Sequence, residues 1–201
     1  MLLPTTYLGP ISWYRNLLTG EDVVIDIHEH YIKQTFRNRC SICGPNARPD
    51  DPFGRGKMEL IVPVNAPNHT AMKDVRIDYS DGWQRKHWGA IRSAYGQSPF
   101  FNFYSDKFEK FYRDKSKIFL IDLNHELMEV ILQILKEKIK VEFSNKFIPY
   151  GESDLRLPSS VFSVPEYQQV FSDRFPFIPD LSIIDLLFCT GPEAKSYLHS
   201  S

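Results

Sequence analysis

The stretch DLNHELMEVILQILKEK, residues 122–138, decides the fold class, because its helical pattern is the most complete in the chain. Its apolar residues recur at three- and four-residue spacing and so form one stripe along a helix: Leu123, Leu127, Val130, Ile131, Ile134 and Leu135. Asp122 stands where a side chain can cap the first turn. A helix with one apolar face has to bury it against another layer, so we expect this helix to pack on a sheet.

Short strands and further helices are predicted on both sides of this helix. Apolar and β-branched runs predict strands at residues 23–27, 58–64, 75–79 and 141–143. Helical spacing predicts helices at residues 11–18, 83–95, 100–113 and 182–189, with a last turn at 193–198. Gly20 is expected to end the first helix in the left-handed conformation, and Ser182 and Asp185 stand at capping-box spacing. The fold class is α/β, with a short mixed sheet, partly parallel, covered by helices.

The length and the proline distribution complete this prediction. A chain of 201 residues that is 42% hydrophobic is usually one domain, so we expect residues 1–201 to form a single domain. Residues 44–57 are predicted to be a turn-rich loop. Prolines at 149, 158, 165, 176 and 179 exclude long regular elements between residues 146 and 180, so this segment should wrap the surface in extended form.

The charge and the apolar content exclude several function classes. Lys and Arg number 24 against 25 Asp and Glu, so the net charge of -1 draws the protein neither to nucleic acid nor to an anionic membrane. No stretch approaches the ~20 apolar residues needed to span a bilayer, and the first ten residues lack a signal-peptide pattern. The sequence predicts a cytoplasmic protein with three free cysteines. No glycine-rich phosphate loop occurs, and no cofactor is indicated.

The segment from Glu29 to Cys40 alternates between two kinds of residue. In an extended chain one face carries the residues that pack, His30, Ile32, Phe36 and Cys40. The other face carries the polar and cationic residues Glu29, Tyr31, Lys33, Thr35, Arg37 and Arg39. The pattern predicts a long strand that displays three cations on one side, where arginine can grip phosphate or carboxylate with two hydrogen bonds.

Lys33, Arg37, Asn38 and Arg39, with Glu29 beside them, are therefore the main candidate ligand-binding residues. The predicted partner is an anionic small molecule such as a nucleotide sugar, a phosphate or a carboxylate. The alternative is a solvated strand face whose cations pair with Glu29 or other acids. Gln169 and Asp185 are further candidates, because they stand inside strongly patterned segments; Asp185 could instead only cap its helix.

His87 and Cys40 are the candidate catalytic residues. His87 lies one helical turn after Trp83, beside a packed face, and is either a neutral core residue or a general base. Cys40 and His87 have the chemistry of a nucleophile and its base in acyl transfer, although Cys40 could instead be a small buried residue.

A metal site is a weaker alternative for part of the same segment. His28 and His30 share one face of an extended chain, and Cys40 and Cys43 form a Cys-x-x-Cys pair. These side chains are enough in number and type for tetrahedral zinc. Cys-x-x-Cys also occurs in redox sites and by chance, so no metal is assigned.

Several stretches together resemble the WbqC-like family of bacterial proteins. They follow the order of the family over nearly the whole chain: Tyr7-Leu8-Gly9-Pro10, residues 33–40, residues 60–64, residues 83–88, Tyr95 with residues 98–101, and residues 181–188. Asn38-Arg39 and the block from Trp83 to His87 are the most specific of these motifs. The stretch between Val141 and Tyr167 lacks the glycine-rich insert of longer relatives.

The resemblance implies a cytosolic protein whose relatives often lie near genes for surface polysaccharides such as O-antigen. Two function classes follow. The first is an enzyme of surface-glycan or nucleotide-sugar modification, for example an acyl or aminoacyl transfer to an amino sugar. The second is a noncatalytic scaffold that contacts a protein of glycan synthesis through the aromatic, proline-rich residues 146–180.

Overall fold

The computed structural model describes residues 1–44, 56–151, 154–156 and 164–200. The helices in these ranges are α1 Ile11–Thr19, α2 Trp83–Tyr95, α3 Phe101–Arg113, α4 Leu120–Leu135, α5 Ile183–Thr190 and α6 Ala194–His199. The strands are β1 Leu2–Leu3, β2 Val24–Ile25, β3 Arg39–Cys43, β4 Lys57–Ile61, β5 Val64–Asn65, β6 Arg76–Ile77 and β7 Glu142–Phe143. The predicted α/β class is confirmed. The predicted loop at 44–57 lies mostly outside the described residues.

The strands form three small sheets where the sequence predicts one. Strands β1, β2 and β7 pair in parallel in that order, which confirms the predicted parallel pairing. The pairs β3–β4 and β5–β6 are both antiparallel and separate from the first sheet. Pro63, which cannot donate to a sheet ladder, lies between β4 and β5 and divides the single strand predicted at 58–64.

Helix α4 packs as its apolar stripe predicts, but its ends differ from the prediction. It begins at Leu120 and ends at Leu135, where Lys136 takes a left-handed conformation with φ of 56°. The N-cap is Phe119, which makes no side-chain capping bond. Asp122 therefore lies inside the first turn, where its carboxylate still interacts favourably with the helix dipole.

Helix α5 lies at the centre of the apolar core. All eight of its residues are buried, and it contacts α1, α2, α3, α6 and β3. The Phe188 ring packs against the rings of Tyr95, Phe101 and Phe108, which come from α2 and α3. The helices and the small sheets thus share one cluster of buried apolar side chains.

The strand predicted from Glu29 to Cys40 is wrong except at its end. Of the segment, only Arg39 and Cys40 belong to a strand, β3, and His30 makes an isolated antiparallel bridge with Ala71. The chain between them turns, with Gln34 at φ of 60°. Glu29 and Arg37 explain the difference, because their side chains form a buried ion pair of 2.5 Å. Eight residues of extended chain would hold them ~26 Å apart, beyond the reach of both side chains. The chain therefore has to fold back, and the one-sided display of three cations does not form.

Two predicted helix caps are also wrong. Gly20 has φ of -75° and ψ of 146°, an extended conformation, so it does not end α1 in the left-handed region. Ser182 donates to the Leu8 carbonyl, and Asp185 accepts side-chain bonds from other elements, so the two do not form a capping box. At α5, contacts with residues distant in sequence take the groups that the local pattern assigns to the helix end.

The described parts of the proline-rich segment 146–180 are irregular, as predicted, but they do not only wrap the surface. Arg156, Tyr167, Phe175 and Ile178 are buried, whereas Phe147 and Tyr150 are about half exposed. The segment therefore contributes to the core as well as to the surface. Within the described ranges no helix is both long and apolar enough to cross a bilayer.

Candidate functional site

A cavity of about 660 Å³ lies where the β3–β4 and β5–β6 pairs meet. One wall is the turning segment before β3, and the other is the chain from Ile61 through Pro67; Asp78 closes the side near β6. The lining side chains that carry polar chemistry are Tyr31, Lys33, Gln34, Asn38, Arg39, Asn65 and Asp78. We call this cavity the Arg39 groove. Of the predicted ligand-binding residues it brings together Lys33, Asn38 and Arg39.

Asn38 joins the two walls of the groove. Its Nδ2 atom donates to the Val62 carbonyl at 2.9 Å, and the Val62 amide donates to the Asn38 carbonyl at 2.8 Å. The antiparallel register beside it pairs Arg39 with Ile61. The side chain of Asn38 is buried, and its Oδ1 atom has no hydrogen-bond partner in the described chain. The sheet register thus buries the Asn38 side chain between the two walls of the groove.

Arg39, the next residue, is held by one partly exposed ion pair. Its Nη1 atom donates to Glu59 at 3.0 Å, and the side chains of Arg39 and Glu59 are 19% and 52% exposed. The Nε atom of Arg39 is buried and without a partner in the described chain. An ion pair open to solvent contributes little stability, so Glu59 can yield to another anion.

The rim of the groove is charged and exposed. Lys33 is exposed and forms no ion pair with the described residues, and Gln34 beside it holds a left-handed backbone, which costs about 1 kcal/mol for a non-glycine residue. Asp78 is also exposed, and its bonds to Ser80 lower its carboxyl pKa. Burial raises the pKa of the Tyr31 phenol, and the cation of Arg39 opposes that effect.

Arg37 and Glu29 lie outside the groove. Two nitrogens of the Arg37 guanidinium donate to the Glu29 carboxylate, and one of them also donates to the Arg156 carbonyl. Arg156 in turn pairs with Asp26 and Asp154 at 2.5 Å each, beneath the rings of Phe147 and Tyr150. This buried network of charges anchors the turning segment to the core. Its paired geometry favours a structural role for Arg37 and Glu29.

His87 lies behind the groove wall on α2. Its Nδ1 atom is 2.9 Å from the Tyr7 hydroxyl, which is also 2.9 Å from the Tyr112 hydroxyl. The ring makes a second hydrogen bond to the backbone of Ile61, and that bond raises its pKa, so the ring is the donor there. A neutral ring has one N–H, so Nδ1 accepts from Tyr7. Burial lowers the His87 pKa to about 4, so the ring is neutral near pH 7.

Cys40 is buried on β3, next to Asn38 and Arg39 in sequence but outside the groove lining. Burial raises the pKa of its thiol far above the ordinary value, and its hydrogen bond with Ser182 only partly opposes that effect. A protonated, buried thiol is a poor nucleophile. No hydrogen bond joins Cys40 to His87 in the described structure. The contacts favour a packing role for Cys40, and catalysis by either residue stays a prediction.

Gln169 and Asp185 belong to a second, separate polar cluster. Asp185 is fully buried and accepts hydrogen bonds from Tyr95 at 2.7 Å, Tyr167 at 2.6 Å and Gln169 at 3.1 Å. Burial raises the Asp185 pKa. Gln169 also bonds both backbone groups of Ile178. The cluster ties residues 167–178 to α5 and does not meet the Arg39 groove.

The side chains considered for zinc are dispersed. The His28 ring contacts the Ser144 hydroxyl, and the exposed His30 ring packs against His69 and Phe147. The Cys43 thiol donates to the Val170 carbonyl. Among residues 1–44, 56–151, 154–156 and 164–200, no three metal-ligating side chains converge. All three cysteines are free thiols.

Sequence reasoning missed Tyr31 and Asp78 at the groove and the buried Asp26, Arg156 and Tyr7 around it. Tyr31 stood in the alternating segment, and Tyr7 stood in a family motif, so a signal existed for both. Asp78 reaches the groove because its amide donates to the Pro63 carbonyl at 2.9 Å, which no local pattern predicts.

The comparison with protein families confirms the family resemblance of the sequence. A family model described as the WbqC-like protein family matches residues 6–159 and 149–197, which is most of the chain. The chain belongs to the WbqC-like protein family. The residues of the Arg39 groove and His87 all lie within the first matched range of this WbqC-like chain. No curated protein and no solved structure matches it.

Proposed function

We propose that this WbqC-like chain binds an anionic small molecule in the Arg39 groove. The observation that carries the proposal is that Arg39 lines a cavity of about 660 Å³ and has Glu59, which is about half exposed, as its only ion-pair partner among the described residues. An anionic oxygen that enters the groove would gain a charge-assisted hydrogen bond from the Arg39 guanidinium.

The charges around the groove favour the binding of an external anion, which would compete with the Glu59 carboxylate for Arg39. Lys33 adds a second cation at the rim, where it has no anion among the described residues. Glu59 occupies only Nη1 of Arg39 and is half exposed. It therefore acts as a displaceable counterion. A phosphate or carboxylate would take the place of Glu59 on the Arg39 guanidinium, and Lys33 would supply further attraction.

The family resemblance supports the biological setting of this ligand. The setting is bacterial surface-polysaccharide synthesis of the O-antigen type, in which nucleotide sugars are the abundant anionic intermediates. We propose that the chain acts on such a compound, by transfer of an acyl or aminoacyl group from an ester or thioester donor to the amine of an amino sugar. The new C–N bond replaces the C–O or C–S bond of the donor, whose alcohol or thiol leaves with the proton that the amine gives up. His87 would serve this function by holding the Ile61 wall in place, because its ring bonds the Ile61 backbone.

Thermal unfolding with UDP-glucose, inorganic phosphate and coenzyme A tests the binding step. A ligand at ten times its Kd stabilises the native state by about 1.4 kcal/mol, which raises Tm by about 3–5 °C for a chain of this size. We expect such a shift with at least one of the three compounds. Arg39→Ala should abolish the shift, and Glu59→Gln should enlarge it because it removes the competing anion.

Lys86→Ala is the matched control. Lys86 forms a comparable exposed pair with Asp81 but does not line the groove. This variant should keep the full shift. No shift with any of the three anions, or an equal shift in Arg39→Ala, would overturn the proposal.

A noncatalytic contact role is the second candidate, and the exposed rings of Phe147 and Tyr150 favour it. They are 45% and 54% exposed, and they lie in the segment predicted to contact a partner. Aromatic side chains of this kind are enriched at interfaces. Co-purification with a protein of glycan synthesis that is lost in Phe147→Ser/Tyr150→Ser, and kept in Arg39→Ala, would favour this role over ligand binding.

A further inference from the structure

The Arg39 groove carries a negative charge as well as its two cations. Asp78 lines the groove, and its side chain is exposed. The carboxylate accepts a hydrogen bond from the Ser80 amide at 2.9 Å, and its bonds to Ser80 lower its pKa, so it is ionised near pH 7. No cation among the described residues pairs with it. The groove therefore offers a solvent-accessible carboxylate whose charge the described chain leaves open for a ligand.

The strand registers place Asp78 and Arg39 on the same face. Arg39 is paired with Ile61 across β3 and β4, and the side chains of paired residues share a face. The Asp78 amide donates to the Pro63 carbonyl at 2.9 Å, which continues the antiparallel register of β5 on β6 by one residue. Ile61 and Pro63 are two residues apart, so their side chains point the same way. Arg39 and Asp78 thus project from one face, on opposite sides of the chain that joins Ile61 to Pro63.

The exposure of the side chains agrees with this arrangement. Ile61 is 41% exposed, whereas Val62 and Ile77, which point to the other face, are buried. Two strand spacings and two residues along the chain separate the Cα atoms of Arg39 and Asp78 by roughly 12 Å. An anion on Arg39 and a cation on Asp78 would therefore belong to two ends of one small molecule.

We propose that the ligand of the groove carries both charges, an ammonium group that Asp78 binds and an anionic group that Arg39 and Lys33 bind. This inference rests on the proposed anion binding and adds the substrate class, which is an amino-sugar phosphate. A pyranose ring between an amine and a phosphate holds the two charges apart, as the strands hold Asp78 and Arg39 apart. Asp78 is then the residue that selects an amino sugar over a sugar with a hydroxyl in the same place.

Three sugar phosphates test the inference on the wild type. Glucosamine 6-phosphate carries an ammonium group, glucose 6-phosphate has a hydroxyl in its place, and N-acetylglucosamine 6-phosphate has an uncharged amide there. Protein NMR titrations at about pH 6.5 keep the amine protonated, because the pKa of such an amine is close to that of an α-amino group, about 7.7–8.0. We expect glucosamine 6-phosphate to bind about threefold more tightly than the other two, which is the size of effect that an exposed ion pair gives.

Two aspartate variants assign that preference to the groove. Asp78→Asn removes the charge but keeps an oxygen that can accept the Ser80 amide bond, so it should fold and bind all three compounds with equal affinity. Asp74→Asn should keep the threefold preference, because Asp74 is an exposed carboxylate that does not line the groove. A preference that is lost in Glu59→Gln and kept in Asp78→Asn would overturn the inference, because Glu59, displaced from Arg39, would then hold the ammonium.

Glycine and acetate distinguish an amino sugar from a free amino acid. Glycine carries its ammonium and its carboxylate on one carbon, so it can satisfy Asp78 or Arg39 but not both. We expect it to bind no more tightly than acetate. Tighter binding of glycine that is lost in Asp78→Asn would overturn the amino-sugar class.

The outcomes separate this inference from the proposal beneath it. Equal binding of the three sugar phosphates to the wild type, with all three weakened in Arg39→Ala, would overturn the inference and leave anion binding intact. Failure of all three to bind, together with no effect of any anion on Tm, would overturn both.

Discussion

Arg37 and Glu29 hold each other inside the protein, with Nη2 of the arginine 2.5 Å from Oε2 of the glutamate and side chains that are 1% and 0% exposed. Arg39, only two residues further along, faces the groove. The pair thus divides the cation-rich segment into an anchor, Arg37, and a residue that lines the groove, Arg39. Arg37 supplies the anchor because its donors are taken by Glu29, Thr35 and the Arg156 carbonyl.

The first prediction concerns this division. Arg37→Ala should lower the free energy of unfolding by about 3–5 kcal/mol, because it leaves the Glu29 carboxylate buried without its cation. Arg39→Ala should lower it by less than about 1 kcal/mol, because its partner Glu59 is half exposed. Urea denaturation measures both values. Similar losses of unfolding free energy in Arg37→Ala and Arg39→Ala would contradict the assignment of Arg37 as the anchor. The double variant Glu29→Leu/Arg37→Met should recover much of the stability that Arg37→Ala loses.

The second prediction concerns acid stability and His87. Burial lowers its pKa to about 4 from the ordinary 6.5, so below pH 6.5 the unfolded chain binds the proton more readily than the native one. The contribution of His87 is complete above pH 6.5 and is lost as the pH falls towards 4. Between pH 7 and 4 the wild type should lose about 3 kcal/mol more stability than His87→Gln. The measurement is chemical denaturation of both proteins at pH 7 and pH 4. Equal losses of stability in the wild type and His87→Gln would show that His87 is not buried in neutral form.

The third prediction concerns Asp185. Burial raises its pKa above the ordinary 3.8, so the native state holds the proton more tightly than the unfolded state. Its contribution is therefore complete below pH 3.8 and falls as the pH rises through the native pKa. As the pH rises from 3.8 through the native pKa, the free energy of unfolding of the wild type should fall relative to that of Asp185→Asn. Asp78→Asn is the control, because the lowered pKa of Asp78 gives a dependence of opposite sign.

The fourth prediction concerns the cysteines. Burial raises the pKa of the Cys43 thiol to about 12 and raises those of Cys40 and Cys189 as well. A disulfide reagent at neutral pH should therefore react slowly with the native protein and rapidly with the urea-unfolded one. Rapid reaction of one thiol in the native state, lost in Cys40→Ala, would instead indicate an accessible nucleophile at Cys40.

The long helices could be predicted from the sequence because their information is local. Helix α2 has the predicted bounds Trp83–Tyr95, and α3 differs by one residue at its start. Their apolar residues recur at the helical period, and that period requires no knowledge of the partner layer. The ends of α4 and α5 were less predictable. At α4 the N-cap is Phe119, which makes no side-chain capping bond. At α5, Ser182 and Asp185 bond groups that lie far away in sequence.

The cation-rich segment shows where local information fails. Alternating residues fit an extended strand, but they also place Glu29 and Arg37 where the folded chain can bury them as a pair. Burial of paired charges depends on the surrounding core, so the alternation could not reveal it. Lys33, Asn38 and Arg39 nevertheless line one cavity, and their role in anion binding stays a prediction.

The sequence by itself determined the α/β class, the main helices, the family and the residue types able to hold an anion. Only the tertiary structure decided which of those residues meet. The groove depends on the register of β3 on β4, which sets Asn38 against Val62, 24 residues away. His87 likewise reaches Tyr7 across 80 residues. Such contacts depend on packing between distant segments, and no period in the chain encodes them.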